Sequence, residues 1–406
     1  MLRVLLAVLL SFATLASARA STWTEATTTV RTGTQEMIGA TSSSDGTKLA
    51  ATVWNGYIWT SSDSGETWTP TGSTQEWTGN TQEWRGVTSS SDGTKLAAVT
   101  TGPTHGYIYV STDSGATWTT RSDAQSWFGI ASSSDGTKLA ACANGGHIYT
   151  SFDSGVTWTP RDAQRNWYRV ASSSDGAKLA ATVDGGDIYT SIDSGVSWTP
   201  TGDADLIGHG WRGITSSSDG TKLAAVADNG YIWTSADSGG TWTKRETWSE
   251  GQSAASARAW FDITSSSDGT KLAATVNGGY IWTSANSGAT WTEVKPTETT
   301  QKWSGIASSS DGTELVALVR FGNVWTYQYP PPPPPFTCCE ESFAKRGFAV
   351  GRAFALGLGE NCGDVSPRRR YDPYTSRRPR AHRSKRPRVR PRLFLSSLAP
   401  GVTRPR

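Results

Sequence analysis

Cysteine, methionine and histidine are scarce in this chain, with 4, 2 and 4 copies in 406 residues. So few cysteines, three of them beyond residue 337, cannot form the framework of a disulfide-stapled domain. Cys142 stands where sister segments carry Thr52, Val99, Thr182, Val226, Thr275 and Leu318, so it reads as a small buried side chain. The histidines show no metal-ligand spacing with cysteine, and no nucleophile elbow or phosphate-binding glycine loop is present, so no cofactor or metal is expected. No Asn-x-Ser/Thr sequon occurs. Long apolar runs are also missing. The longest, Val4–Leu10, follows Arg3 and leads to Ala18-Arg19-Ala20. It is too short to span a bilayer and predicts an export signal cleaved before Ser21.

Tryptophan, by contrast, is abundant. Twenty indoles in one chain need a large core, which excludes a disordered protein. Their placement follows a repeat. SSSDGTKLAA, with small variations, recurs with its Asp at 45, 92, 135, 175, 219, 268 and 311, a period of about 44 residues that suits propeller blades. Within each period, runs rich in Thr, Val, Ile, Tyr and Trp alternate with Asp-Gly, Asn-Gly and Gly-Gly turns, which predicts four short antiparallel strands, A to D.

A second motif, Ser-x-Asp-Ser-Gly-x-Thr/Ser-Trp, centres on Asp63, Asp113, Asp153, Asp193 and Asp237, with Asn286 in the acid's place once. This motif is the Asp-box, and the region from Ser21 to about Tyr329 resembles the BNR/Asp-box β-propellers, a group that includes sialidases, xyloglucan-active hydrolases, sortilin-type receptors and a photosystem II assembly factor family. The resemblance implies an all-β, seven-bladed propeller of four-stranded antiparallel blades, with the box as a structural turn away from the ligand face. The seventh unit stops at Asn323-Val324-Trp325-Thr326, before any box, whereas Thr22-Trp23-Thr24 at the other end matches Thr67-Trp68-Thr69. An N-terminal strand is therefore expected to complete the last blade and close the ring.

The domain organisation that follows is an export signal at 1–20, a propeller at 21–329, a polyproline linker at 330–335 and an Arg/Pro-rich tail at 336–406. The tail holds 17 Lys+Arg against 5 Asp+Glu, while residues 21–335 hold 19 against 30, so the modest net charge of +3 hides two opposite halves. Such a tail cannot bury enough apolar surface to fold and predicts disorder. Two readings of it stand: an arm that contacts a polyanion, or sequence foreign to the repeats. The export signal argues against nucleic acid as a partner.

Loop length varies on the edge formed by the B–C turns and the D-to-A connections, where propellers can diversify for binding. That edge carries Trp84, Trp127, Trp167, Trp211, Trp260 and Trp303, each at the start of strand A, followed by divergent residues that include Arg85, Phe128, Tyr168 and Arg212. These form the candidate ligand-binding set, with the indole faces suited to sugar rings; inter-blade packing is the competing reading of the same indoles. The Lys row of the SDGTK turns reads as solvated hairpin charge or as an anion-binding surface. For glycoside hydrolysis, a pair of carboxylates across the bond is required; Asp184, Asp187, Asp203, Asp205, Glu250 and Asp262 lie on the variable edge, and nothing singles out a pair. The expectation is a secreted, monomeric, non-catalytic module for a glycan or an extracellular protein. A glycoside hydrolase and a plastid-lumen assembly factor are the alternatives.

Overall fold

The computed structural model describes residues 22–27, 35–71, 82–102, 106–246 and 257–328. The export signal, the polyproline run, the basic tail, Glu250, Trp77 and Trp248 lie outside the described residues.

The chain folds as successive antiparallel meanders. In the first, Glu36–Ser42 (strand A) pairs with Leu49–Gly56 (B), which pairs with Ile58–Ser61 (C), which pairs with Thr69–Thr71 (D). The second repeats the order with Gln82–Ser89, Leu96–Thr100, Ile108–Ser111 and Thr119–Thr120. In the third, strands B and C run together as Leu139–Ser151, and its D strand continues into the next A strand as Thr159–Ser172. The last meander comprises Gln301–Ser308, Glu314–Val319 and Val324–Gln328. Its fourth strand comes from the other end of the chain: Thr22–Glu25 pairs with Val324–Gln328, with Trp23 opposite Tyr327. The only helix among the described residues is the 3-10 turn Ala204–Leu206.

Two kinds of turn set these strands. In the box, Asp153 Oδ1 accepts the Thr157 N–H at 2.9 Å, its Oδ2 accepts the Thr157 hydroxyl at 2.6 Å, and these bonds hold the carboxylate down to about 2. Ser154 and Gly155 both take positive φ, 59° and 82°, and Trp158 Nε1 closes the turn on Gly155 O. In the SDG turn, Asp92 accepts the Ser90 hydroxyl and the Thr94 N–H.

Apolar layers lie between consecutive units. Ala50 and Ile58 of the first unit pack with Trp84, Leu96, Ala98 and Trp118 of the second. Val316, Leu318 and Val324 of the last unit pack with Met37, Ala51, Val53 and Trp68 of the first, so the layer sequence returns to its start. The strand-B alanines explain the close spacing, for Ala50, Ala97, Ala140 and Ala224 are buried on the face that meets the next unit and leave room for its Trp84, Trp127, Trp167 and Trp260.

Closure is also written in hydrogen bonds. Ser44 N–H donates to Ser91 O, and the chain of identical bonds runs through Ser134, Ser174, Ser218, Ser267 and Ser310 back to Ser44, at 2.6–2.8 Å. Beside this cycle, the SDGTK lysines tie neighbours together. Lys48 Nζ donates to Asp92 O at 2.9 Å, Lys95 to Asp135 O at 2.9 Å, Lys138 to Asp175 O at 2.8 Å and Lys222 to Asp268 O at 2.9 Å. The row thus has a structural part that neither reading foresaw: Lys48, Lys95, Lys138, Lys222 and Lys271 each cap a carbonyl of the next unit, and Lys178 reaches the Ser238 hydroxyl.

Candidate functional site

The inner A strands surround a channel of about 260 Å³, lined by segments around Gly39, Gly86, Gly129, Arg169, Gly213 and Asp262 and by the strand containing Ile306. At one position, two residues after the conserved-in-repeat Trp or Met, five units carry glycine: Gly39, Gly86, Gly129, Gly213 and Gly305. Glycine is required by close approach, since a Cβ on Gly129 would lie 2.8 Å from Tyr168 O and one on Gly305 would lie 2.7 Å from Ile38 O. The fourth and sixth units break the row with Arg169 and Asp262, which puts one charge of each sign at the same level of the channel.

Arg169 is held by a 2.7 Å bond from its guanidinium to Phe128 O. Asp262 accepts the N–H of Ile263 at 3.0 Å and of Ile306 at 3.2 Å, one on each oxygen. Burial pushes its carboxyl above the usual range, and the Arg169 charge only partly offsets this. A raised folded-state value means stability that is full below the unfolded value of 3.8 and lost as pH rises through the folded value. The Asp262→Gly variant, which restores the row, is therefore expected to gain on wild type in melting temperature as pH rises from about 4 to 7. The pH dependence of the difference is the readout, because glycine itself costs about 1 kcal/mol of backbone entropy at any pH. A constant difference would show that the carboxyl carries no burial penalty.

At the channel mouth, on the B–C and D–A edge, a stack crosses five successive units. The Arg85 guanidinium lies 4.4 Å from the Trp54 ring centroid and 4.7 Å from that of Phe128. Phe128 meets Tyr168 at 5.4 Å, and Arg212 lies 5.3 Å over Tyr168 and donates to its hydroxyl at 3.1 Å. Arg212 then pairs with Asp228 at 3.2 Å, and Arg169 approaches the Tyr168 ring from the channel side at 5.4 Å. Cation–π contacts of this kind contribute about 0.5–2 kcal/mol each and hold the guanidinium planes in place. Arg85 is half-buried, and its Nε–H has no hydrogen-bond partner. Of the predicted binding residues, the structure thus brings Arg85, Phe128, Tyr168 and Arg212 into one array.

The six strand-A tryptophans are not part of that surface. Trp84, Trp127, Trp167, Trp211, Trp260 and Trp303 are each at most 1% exposed, so none presents a ring face to a ligand. This corrects their place in the binding set. They meet the strand-C aromatic of their own unit: Trp84 with Tyr109, Trp127 with Tyr149 and Trp167 with Tyr189 at 5.0–5.2 Å, edge to face. Trp84 and Trp211 also donate Nε1–H to Gly56 O and Gly186 O of the preceding unit, both at 3.2 Å.

Asp187 and Asp203 of the variable edge, like Asp262, are occupied in holding backbone. Asp187 accepts from Ile188 N, the Thr201 hydroxyl and Gly202 N, and Asp203 accepts from Asp205 N at the 3-10 turn. No group of three or more His, Cys, Asp or Glu converges among the described residues. Cys142 is buried, and burial pushes its thiol up. Asp262 enters the sequence reading as one carboxylate of the variable edge among several and Trp54 as an indole outside the repeat pattern, but Arg169 is missed; aligning the repeats column by column exposes all three, since each breaks a row of small or polar residues.

No protein-family model matches the chain, and no curated protein matches it. Solved structures do match. YCF48 bound to D1 peptide is 18% identical with a TM-score of 0.56, over 75% of this chain and 96% of that one. YCF48 from Cyanidioschyzon merolae is 15% identical with a TM-score of 0.57, over 76% and 99%. The GH74 xyloglucanase from Xanthomonas campestris is 13% identical with a TM-score of 0.58, over 75% of this chain and 53% of that enzyme. At such identities the likeness speaks to architecture alone, and the closed succession of antiparallel meanders is that of a β-propeller.

Proposed function

We propose that this protein is an exported, non-catalytic propeller of seven four-stranded blades, which binds a protein segment bearing a carboxylate at the mouth of its channel. The observation that carries this reading is the Trp54–Arg85–Phe128–Tyr168–Arg212 stack. Ring faces fix the Arg85 guanidinium plane without consuming its N–H donors, while Arg212 is already held by the Tyr168 hydroxyl and Asp228, and a preorganised planar donor fork suits a carboxylate. Arg169 and Arg212 meet at Tyr168 and Arg85 stands one ring away at Phe128; Asp228 pairs with Arg212, and Asp262 offsets Arg169. Arg85 is thus the guanidinium left to draw an anionic group, in a repeat region that is acidic as a whole. A propeller of the same architecture has been solved with a peptide. The seven blades rest on the seven SDG turns and the serine cycle that joins them.

The test is fluorescence anisotropy with a library of peptides that end in a free or an amidated C-terminus. Free-acid peptides are expected to bind, and Arg85→Ala and Arg212→Ala each to weaken them by about ten- to a hundredfold, the worth of a charge-assisted hydrogen bond, with melting temperature little changed. Equal binding by the amidated set would overturn the carboxylate assignment. Release of reducing sugar from a polysaccharide panel would overturn the non-catalytic reading.

A further inference from the structure

The seventh Asp-box is missing, and its place is a cavity. In every unit that has a box, the box glycine packs on strand C of the preceding unit. A Cβ on Gly115 would lie 3.0 Å from Thr60, on Gly155 2.8 Å from Val110, on Gly195 2.6 Å from Thr150, on Gly239 2.6 Å from Thr190, on Gly288 2.8 Å from Thr234, and on Gly65 2.5 Å from Thr326 of the last unit. The member of this row with no box to cover it is Thr283, in the sixth unit. Thr283 lines a cavity of about 410 Å³ between the sixth and last units, against about 260 Å³ for the central channel.

A second departure from the repeat meets the first there. Asn286, the one amide in a row of acids, borders the same cavity and donates from Nδ2 to the Thr290 hydroxyl at 2.9 Å, where an Asp would accept. The lining therefore contains no carboxylate, and Lys271, its single cation, already donates to Asp311 O at 2.9 Å. The opposite wall is aromatic. Trp23 and Tyr327 sit 5.3 Å apart, tilted by 37°, on the strand pair that closes the ring.

We propose that this cavity is a binding site for a single neutral pyranose sugar. An indole and a phenol supply apolar faces for ring C–H groups, while Asn286, Thr283, Thr290 and Thr292 supply neutral donors and acceptors for hydroxyls. The volume falls within the range of small-molecule sites, and the absence of fixed anions on the wall leaves no charge for a sugar to displace. The site is separate from the channel mouth and does not rest on the function proposed for it.

The test is saturation-transfer NMR and calorimetry on the full chain with methyl glycosides of glucose, galactose and mannose, and methyl glucuronide as the acidic arm. One neutral glycoside is expected to bind with a Kd of about 1 mM, as befits a dozen heavy atoms in an open site. Thr283→Tyr fills the cavity and is expected to abolish binding while peptide binding at the mouth persists. Ala285→Phe, which copies Phe152 at the same place in the third box, provides a second blocked variant with a precedent in the fold. Absence of saturation by all three neutral glycosides at tenfold that concentration, unchanged affinity in both variants, or binding of the glucuronide alone would overturn the proposal.

Discussion

Deletion of residues 21–27 is expected to lower the melting temperature by about 10 °C and to increase self-association relative to the intact chain. The segment supplies the outer strand of the last unit, paired residue for residue from Thr22 opposite Gln328 to Glu25 opposite Trp325. Trp23 packs on Trp303 at 6.4 Å and on Tyr327 at 5.3 Å, and the buried Ala26 exchanges bonds with the last unit on both sides, its N–H to Val324 O and its O from Asn323 Nδ2, each 2.8 Å. Burial of one indole and the associated hydrogen bonds together contribute about 3–5 kcal/mol. For a domain of this size each kcal/mol shifts melting by roughly 2–4 °C. The Arg320–Glu36 bridge, at 2.7 Å, and the serine cycle would survive the deletion, so the ring should loosen at its outer edge without opening fully. Val324–Gln328 would become an unpaired edge, a template for strand addition by a second molecule. Differential scanning calorimetry and light scattering of the truncated and intact chains read both effects. An unchanged melt would mean that closure resides in the inner strands alone.

The parts of the fold legible in sequence are those whose partners lie close along the chain. A box closes on itself over a few residues, as when Thr67 N–H reaches Asp63 and Trp68 Nε1–H reaches Gly65 O, so spacing alone announces it. The strand that closes the ring was legible for another reason: Thr-Trp-Thr at residue 22 is a fragment of a repeated unit, and its counterpart is missing at the far end. The lateral ties were hidden. Lys48 and the carbonyl of Asp92 are 44 residues apart, and nothing in SDGTK distinguishes a lysine that reaches a neighbour from one that reaches water. Legibility of the candidate site was divided along the same line. The residues after each tryptophan diverge, which marks them as free to specialise, but only the succession of units shows that Arg85, Phe128, Tyr168 and Arg212 touch in order. Periodicity placed the indoles at the mouth because strand A begins there; a side chain at that point can turn into the layer between sheets as readily as toward solvent, and the buried strand-B alanines of the preceding unit, such as Ala50 and Ala140, leave the layer open to it.

The burial of those indoles leads to the second large effect. Trp167→Ala is expected to cost about 3–5 kcal/mol, the range for emptying a large aromatic from a packed core. Trp167 is wholly buried, meets Tyr189 at 5.1 Å and Trp198 at 5.8 Å, and donates Nε1–H to Ala163 O at 3.2 Å. Its cluster joins Ala140, Cys142 and Ile148 of the third unit to Val170, Leu179 and Ala181 of the fourth, so the void would open in the apolar layer between these two units. The same loss would unseat Tyr168, the residue next in the chain, on which Phe128, Arg169 and Arg212 converge. Binding at the mouth and stability should therefore fall together in this variant, whereas Arg85→Ala separates them. Trp167→Phe keeps an aromatic edge toward Tyr189 and should recover more than half of the lost melting temperature. Chemical denaturation of the three variants beside peptide binding makes the distinction. A stable Trp167→Ala protein that fails to bind would return the indole to the ligand surface, and one that unfolds in proportion to its lost core contacts would fix its role as packing beneath the arginine stack.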